Sequence, residues 1–164
     1  MTGQSNVVDL ARIEALEKRL QAVEDMQAIQ NLKARYAAHC DDHYNPDAIA
    51  ALFTEDAIWD SPGLGRFEGR DAIREFFRGA SQIFSFAIHY SLNGQIEVHG
   101  DQAKAQWYLF MPCVLAKDNQ AMWRASIDHE EYARVDGTWK FSRKRSEPFF
   151  NTPFSEGWAK TRFA

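Results

Sequence analysis

Apolar residues near the start of the chain recur every three or four positions. Ile13, Leu16, Leu20 and Val23 form this series, and charged residues fill most of the positions between them. The spacing predicts an amphipathic helix from Asp9 to about Cys40, because residues three or four apart lie on the same helix face. It is also the spacing of a short coiled-coil seam. We therefore expect this face to dock, either within the subunit or against another subunit.

Two shorter helices are predicted after the first one. Asn45 is a favourable N-cap, Pro46 fits the first turn, and the helix that they start is expected to end at Thr54. A third amphipathic stretch runs from Asp71 to Phe77 and is closed by Gly79. The first half of the chain is therefore predicted to be mainly helical, with a short strand at 57–60.

The second half of the chain has the alternation and the turn residues that are typical of β-strands. The strand-like segments are 84–90, 95–99, 103–115, 121–135 and 138–148. Asn93-Gly94, Gly100-Asp101 and Asp136-Gly137 mark the expected turns, and an Asp-Gly pair between two such segments indicates a hairpin. Helices followed by an antiparallel sheet predict an α+β fold, since an α/β fold would alternate the two.

The amino-acid composition also predicts a cavity. The 164 residues suit one domain, and 12 Phe, 5 Tyr and 5 Trp make up 13% of them. A domain of this size needs only part of that set for its core, so we expect an aromatic-lined cavity and a small-molecule partner.

Charge and segment patterns argue against several classes of protein. A net charge of −4 disfavours binding to nucleic acid or to an anionic membrane surface. The chain has no apolar stretch of membrane-spanning length, its start does not resemble a signal peptide, and it contains only 2 cysteines. We therefore expect a cytoplasmic protein without membrane contact.

A few polar residues stand in apolar surroundings. His89 follows Ile88 in a strand-like run, and Asp41 ends a helix whose apolar face must meet the sheet. A histidine oriented by a carboxylate is a metal-free general base, although a core histidine bonded to a backbone carbonyl would give the same pattern. His39 and His43 have the spacing of a metal-ligand pair, but no second pair accompanies them, so we expect no metal.

Five segments together resemble a known family. They are EDMQAIQNLKARYAAHCDD at 24–42, LFTEDAIW at 52–59, FEGRDAIREFF at 67–77, IHY at 88–90 and EYARVDGTWKFSR at 131–143. In order and spacing they resemble the SnoaL-like family of the nuclear transport factor 2-like superfamily, and within it the cofactor-free dehydratases and dehydrochlorinases. The resemblance implies a cone-shaped α+β barrel, in which a curved antiparallel sheet packs on N-terminal helices around a deep apolar pocket.

The resemblance also implies a division of the chain and an assembly. Residues 1–23 would be a helical extension, 24–147 the SnoaL-like domain, and 148–164 a tail that closes the pocket or contacts a neighbouring subunit. Relatives assemble as dimers or trimers, so a homo-oligomer is expected.

The catalytic residues of the relatives can be carried onto this chain by position. Asp41 and His89 fall on the catalytic dyad, and Tyr36 falls on an aromatic residue of the dehydratase helix. Lys144 takes the place of a pocket arginine, with Arg143 beside it on the opposite face of the strand. Met111 stands where a bile-acid dehydratase has a second aspartate. The residues expected to bind substrate are Lys144, Arg143, Asp128, Trp59, Trp107, Met111 and Phe53.

These residues imply a cofactor-independent lyase. It would carry out a dehydratase-type elimination, with or without deformylation, on a hydroxylated aromatic or polycyclic small molecule. Three alternatives remain open at this point: an isomerase or cyclase using the same base, a non-catalytic small (beta) subunit of a ring-hydroxylating dioxygenase, and a ligand carrier.

Overall fold

The computed structural model describes residues 3–164, with side chains from Asp9 onward. Its elements, in chain order, are α1 (Gly3–Asp41), α2 (Pro46–Ala50), β1 (Phe53–Ser61), β2 (Gly65–Glu68), α3 (Arg70–Ala80), β3 (Phe84–Ala87), β4 (Tyr90–His99), β5 (Gln102–Leu115), β6 (Gln120–Val135), β7 (Thr138–Pro153) and α4 (Gly157–Lys160). The predicted order of helices followed by strands is confirmed, and β1 is longer than expected because it takes in Thr54 to Asp56.

One curled sheet holds all seven of these strands. Its order is β2-β1-β7-β6-β5-β3, and β4 pairs with the other part of β5. Every pairing is antiparallel except that of β1 with β7. This parallel pair was not expected from the sequence, since it joins strands far apart in the chain. The α+β class with a curved sheet packed on an N-terminal helix is confirmed.

Helix α1 has two different halves. From Asp9 to Glu24 its side chains are exposed, whereas Ile29, Leu32, Tyr36 and Cys40 are buried at helical spacing. The predicted seam residues belong to the exposed half; Leu20, for example, is 58% exposed. This face therefore packs against none of the described side chains of its own subunit, which leaves contact with another subunit as the prediction.

Asp25 contacts the sheet at the point where the buried half of α1 begins. Its carboxylate lies 2.7 Å from the Arg134 guanidinium and accepts a hydrogen bond of 3.1 Å from the Trp139 indole N–H. The helix continues through residues 23 and 24, and β7 continues through 147 and 148. The structure thus has no break in secondary structure at either predicted domain boundary.

The turn predictions have a mixed outcome. Asn45 caps α2 by accepting a hydrogen bond from the Ala48 N–H at 3.1 Å, as expected. Asp136-Gly137 and Gly100-Asp101 lie between strands, also as expected. Asn93-Gly94 is not a turn: it lies inside β4, where the register with β5 shifts. Asn-Gly tolerates the left-handed backbone of Asn93, which serves a bulge as well as a turn.

A bulge in β7 decides which of its side chains face inward. Phe141 pairs with Tyr132 and Arg143 pairs with Glu131, so Ser142 is an extra residue. Strand side chains normally alternate between faces, and one inserted residue reverses that alternation. Phe141 is buried before the bulge, and Lys144 and Ser146 are buried after it.

Candidate active site

A cavity opens between helices α1 and α3 and the inner face of strands β5 to β7. Its empty space, counted out to the open mouth, is about 820 Å³. The aromatic part of its wall includes Tyr36, Tyr44, Trp59, Phe76, Phe77 and Phe84. The aromatic-lined cavity expected from composition is therefore present. Pro148, Phe150 and Asn151 also line it, so the segment predicted as a tail contributes to its wall.

Asp41 and His89 meet at the wall of this cavity. Asp41 Oδ1 lies 2.7 Å from His89 Nδ1 and also accepts a hydrogen bond of 3.0 Å from the His89 backbone N–H. Because a carboxylate can only accept, Nδ1 carries the proton in the neutral ring. Nε2 is then left with a free lone pair, and it can take a proton from a bound molecule.

Local backbone features place these two residues. Asp41 is the last residue of α1, and the left-handed residues His43 and Tyr44 follow it. His89 lies in the gap between β3 and β4, not within a strand as the sequence suggested. Pro112 on β5 faces this gap, accepts the Ile88 N–H and has no N–H to offer in return, so the ladder is interrupted there.

Two buried lysines lie beside one carboxylate on the inner face of the sheet. Asp128 Oδ2 lies 2.8 Å from Lys144 Nζ and 3.0 Å from Lys33 Nζ. Asp128 Oδ1 accepts a hydrogen bond of 2.7 Å from the Ser146 hydroxyl. Burial opposes ionisation, but the two ammonium groups outweigh it and hold the pKa of Asp128 well below its usual range. Asp128 is thus an anion that holds two cations in place at the cavity wall.

A second carboxylate completes this network. Glu130 Oε1 lies 2.5 Å from Lys33 Nζ, and Glu130 Oε2 accepts a hydrogen bond from the Tyr132 hydroxyl. The Trp107 indole N–H donates to that hydroxyl at 3.2 Å. Two cations and two anions therefore balance in this dry region. Each ammonium has three N–H donors, of which Lys33 and Lys144 use two in these contacts, so each retains one, and both lysines line the cavity.

Tyr36 also lines the cavity and lies close to both cations. Its ring centroid is 5.7 Å from Lys33 Nζ and 5.9 Å from Lys144 Nζ. Its hydroxyl accepts a hydrogen bond of 3.0 Å from the Trp59 indole N–H, which leaves the hydroxyl proton to be donated. Burial raises the pKa of the Tyr36 phenol well above its usual range, and it raises that of the neighbouring Cys40 thiol to about 12. Both groups are therefore protonated at neutral pH.

Three of the residues predicted to bind substrate lie outside the cavity wall. Phe53 is fully buried and packs against Tyr36 and Phe141. The Trp107 indole N–H donates its hydrogen bond to the Tyr132 hydroxyl. Arg143 points to the other side of the sheet because of the Ser142 bulge. The structure thus does not place these three residues at the cavity wall, whereas it does place Lys144, Asp128, Met111 and Trp59 there.

Sequence reasoning missed several polar residues of the cavity. Lys33 is the most informative, because it is a lysine on the helix face that also carries Ile29 and Tyr36. A charged residue at an apolar-face position is a signal that it has a buried partner. Ser146 could be found only with the bulge known, since its parity depends on Ser142.

The histidine pair considered as a metal site is divided by the end of α1. His39 lies in the helix, while His43 follows it in a left-handed conformation. From Asp9 to Ala164 no group of three His, Cys, Asp or Glu side chains has the geometry to hold a metal ion. No helix in the described part of the chain is long and apolar enough to cross a membrane.

Comparison with known proteins agrees with the fold and the cavity. The sequence profile of the SnoaL-like domain matches residues 21–145. Gamma-hexachlorocyclohexane dehydrochlorinase of Sphingobium indicum is 28% identical over 109 residues, which are 65% of this chain and 70% of that protein. The crystal structure of LinA superposes with a TM-score of 0.78 at 26% identity, covering 84% of this chain and 94% of that one.

A third relative extends the comparison to dehydratases. The crystal structure of a Novosphingobium aromaticivorans protein, provisionally named scytalone dehydratase, has a TM-score of 0.73 at 26% identity and covers 81% of this chain and 89% of that one. The fold and the cavity together define an α+β domain in which a curled sheet and an N-terminal helix surround an aromatic-lined cavity. The chain belongs to the SnoaL-like domain family, and it is similar to proteins named as a dehydrochlorinase and a dehydratase.

Proposed function

We propose that the protein is a cofactor-independent lyase that eliminates water from a hydroxylated aromatic or polycyclic small molecule. The observation that carries this proposal is the contact of 2.7 Å between Asp41 and His89 at the wall of an aromatic-lined cavity. A ligand carrier has no need of an oriented base there.

His89 is the general base in this proposal. Its Nε2 accepts a proton from a carbon or a phenolic oxygen of the substrate, and the ring becomes an imidazolium. Asp41 stabilises that cation and fixes the tautomer. The side chain of His89 is 11% exposed and that of Asp41 is 33% exposed, so a bound substrate can reach the base.

The leaving hydroxyl group departs toward the other polar residues of the cavity. As its bond to carbon breaks, it takes a proton from Tyr36 or from the free N–H of Lys144 and leaves as water. The electron pair left by the proton on the substrate forms a double bond, which gives an alkene or a quinone methide. The proton on His89 then returns to the donor through solvent, and the cycle closes without an oxidant or reductant. Where a quinone methide carries a neighbouring hydroxymethyl group, the O–H proton of that group is removed and the C–C bond breaks to release formaldehyde. The electron pair of that bond restores the aromatic ring, and the phenolic oxygen takes up a proton.

The test is turnover by variants that leave the cavity intact. The substrates are hydroxyaryl propanediols, scytalone and gamma-hexachlorocyclohexane, and the products are followed by mass spectrometry. We expect His89→Ala and Asp41→Asn to lower kcat by about 10²- to 10⁴-fold. His129→Ala is the control, because His129 lies outside the cavity wall and is 37% exposed. Normal turnover by His89→Ala would overturn the proposal.

The products also separate the alternatives. A lyase product has lost one water, or hydrogen chloride from the chlorinated substrate, whereas an isomerase or cyclase product keeps the mass of the substrate. A small subunit of a ring-hydroxylating dioxygenase would act on nothing alone and would need a large partner. A product of unchanged mass that depends on His89 would replace elimination by isomerisation.

We also propose that the protein is a homo-oligomer. The apolar seam of α1 is exposed at Ile13, Leu16, Leu20 and Val23. The outer face of the sheet carries aromatic pairs, Tyr108 with Phe149 and Trp123 with Phe154, in which Tyr108 and Phe154 are 44% and 62% exposed. Apolar surface of this extent is characteristic of a subunit interface.

A further inference from the structure

One end of the cavity holds polar groups that the elimination described above does not use. Arg124 on β6 is flanked by Met111 on β5 and by Asn151 on β7, and all three line the cavity. Arg124 lies four residues before Asp128, which corresponds to about 13 Å along an extended strand. This end is therefore separate from the Lys33 and Lys144 network.

Arg124 is a cation without a counterion. Its guanidinium carbon lies 5.2 Å from the centroid of the Phe84 ring. Among the residues from Asp9 onward, no carboxylate lies within ion-pair distance, and burial lowers the pKa of the guanidinium. A guanidinium cannot escape this cost by losing its proton, since it stays charged in proteins. A ligand oxygen with negative character would relieve it.

Two buried polar atoms at the same end also lack partners within the described residues. They are the Tyr44 hydroxyl oxygen and Asn151 Oδ1. Tyr44 is 5% exposed, and its ring lies 5.9 Å from that of His89. The Asn151 side-chain N–H donates to the Ala164 carbonyl oxygen at 3.1 Å, which fixes the amide and leaves its oxygen as a free acceptor. A buried polar atom without a partner is unusual and costly in a protein that has evolved to fold.

We propose that Arg124, Tyr44 and Asn151 form a subsite for a phenolic hydroxyl group of the substrate. The chemistry selects this group over other anionic or polar ones. Arg124 and Tyr44 donate hydrogen bonds, and a phenolic oxygen accepts both. Asn151 Oδ1 accepts, and a phenol can donate to it, whereas a carboxylate would be repelled by it. Phe84 and the Tyr44 ring form the aromatic wall that the ring of a phenol would contact.

This inference deepens the proposed function, because it takes the cavity as the substrate site. Its test is binding without turnover, measured by titration calorimetry with 4-ethylphenol, 4-ethyltoluene and 4-ethylbenzoate. The toluene probe has a methyl group in place of the hydroxyl, so it keeps the shape of the phenol but can neither accept nor donate a hydrogen bond, and the benzoate is the carboxylate probe. A hydrogen bond to a charged group changes affinity by about tenfold or more, so we expect wild-type protein to prefer the phenol to the toluene probe by that factor.

Variants of the subsite test which residues cause the preference for the phenol. Arg124→Met should lose it, and Tyr44→Phe should reduce it by about fivefold, through loss of one neutral hydrogen bond. Arg143→Met is the matched control, because it removes an arginine that lies outside the cavity, and it should leave the preference intact. Tyr44→Phe keeps the buried ring, so it carries the test if Arg124→Met does not fold.

Three binding results would overturn the subsite. Equal affinity of wild-type protein for the phenol and the toluene probe would do so, as would tighter binding of the benzoate. Equal weakening of both neutral probes by Arg124→Met would show that the residue shapes the cavity without recognising the hydroxyl. None of these results depends on catalysis, so the subsite is judged by the binding preference and the lyase proposal by turnover alone.

Discussion

Replacement of Lys33 by methionine is the most direct test of the buried charge network. The substitution removes one cation and keeps a long, unbranched side chain with similar helix propensity. Lys33 Nζ lies 3.0 Å from Asp128 and 2.5 Å from Glu130, and both carboxylates are almost fully buried. Two anions therefore lose a partner at once.

Asp128 and Glu130 differ in the partners that they keep after the substitution. Asp128 keeps Lys144 and Ser146, whereas Glu130 keeps only the Tyr132 hydroxyl among its described contacts. Glu130 must then either stay charged without a cation or take up a proton in the folded state. Breaking a buried ion pair by removal of one partner costs about 3–5 kcal/mol, and we expect the free energy of unfolding to fall by about that amount.

Urea unfolding at fixed protein concentration measures this loss. The double variant Lys33→Met/Glu130→Gln removes the unpaired anion as well, so its loss should be about 1–2 kcal/mol, smaller than that of Lys33→Met alone. Lys104→Met is the control, because Lys104 is exposed on β5 and the change should lie within about 0.5 kcal/mol. A loss below about 1 kcal/mol for Lys33→Met, or additive effects in the double variant, would refute the reasoning.

Three other predictions follow from particular contacts. The lysines hold the pKa of Asp128 below the unfolded value of about 3.9, so its ionised form contributes stability that is present above about pH 4 and lost as the pH falls further. Asp128→Asn should therefore unfold more easily at pH 6 and show a shallower acid transition by circular dichroism. Gly94→Ala should cost about 1–3 kcal/mol in urea unfolding, because its Cβ would overlap the Trp107 ring, whereas the helical Gly79→Ala meets open space and should stabilise; equal effects would contradict this. Leu20→Glu should lower the assembled mass in light scattering if the exposed seam joins subunits, and an unchanged mass would remove α1 from the interface.

Much of the fold could be predicted because the patterns concerned are local. The apolar series of α1, the Asn45 cap and the Asp136-Gly137 turn each depend on a few neighbouring residues, and each is present as expected. The Asn93-Gly94 prediction was wrong because a hairpin turn and a bulge ask the same backbone conformation of the same residues. The two are told apart only by the pairing of β4 with β5, which continues both before and after Asn93-Gly94.

The candidate site, like the fold, could be predicted from the sequence only in part. The sequence by itself determined that Asp41 ends a helix and that His89 stands in apolar surroundings, and the family resemblance proposed that they form a pair. Tertiary structure decided the rest, because contacts between distant segments depend on strand register. One inserted residue, Ser142, sent Lys144 into the cavity and Arg143 out of it. The same register placed Lys33 of the helix against Asp128, across 95 positions of sequence, where neither residue alone indicated the other.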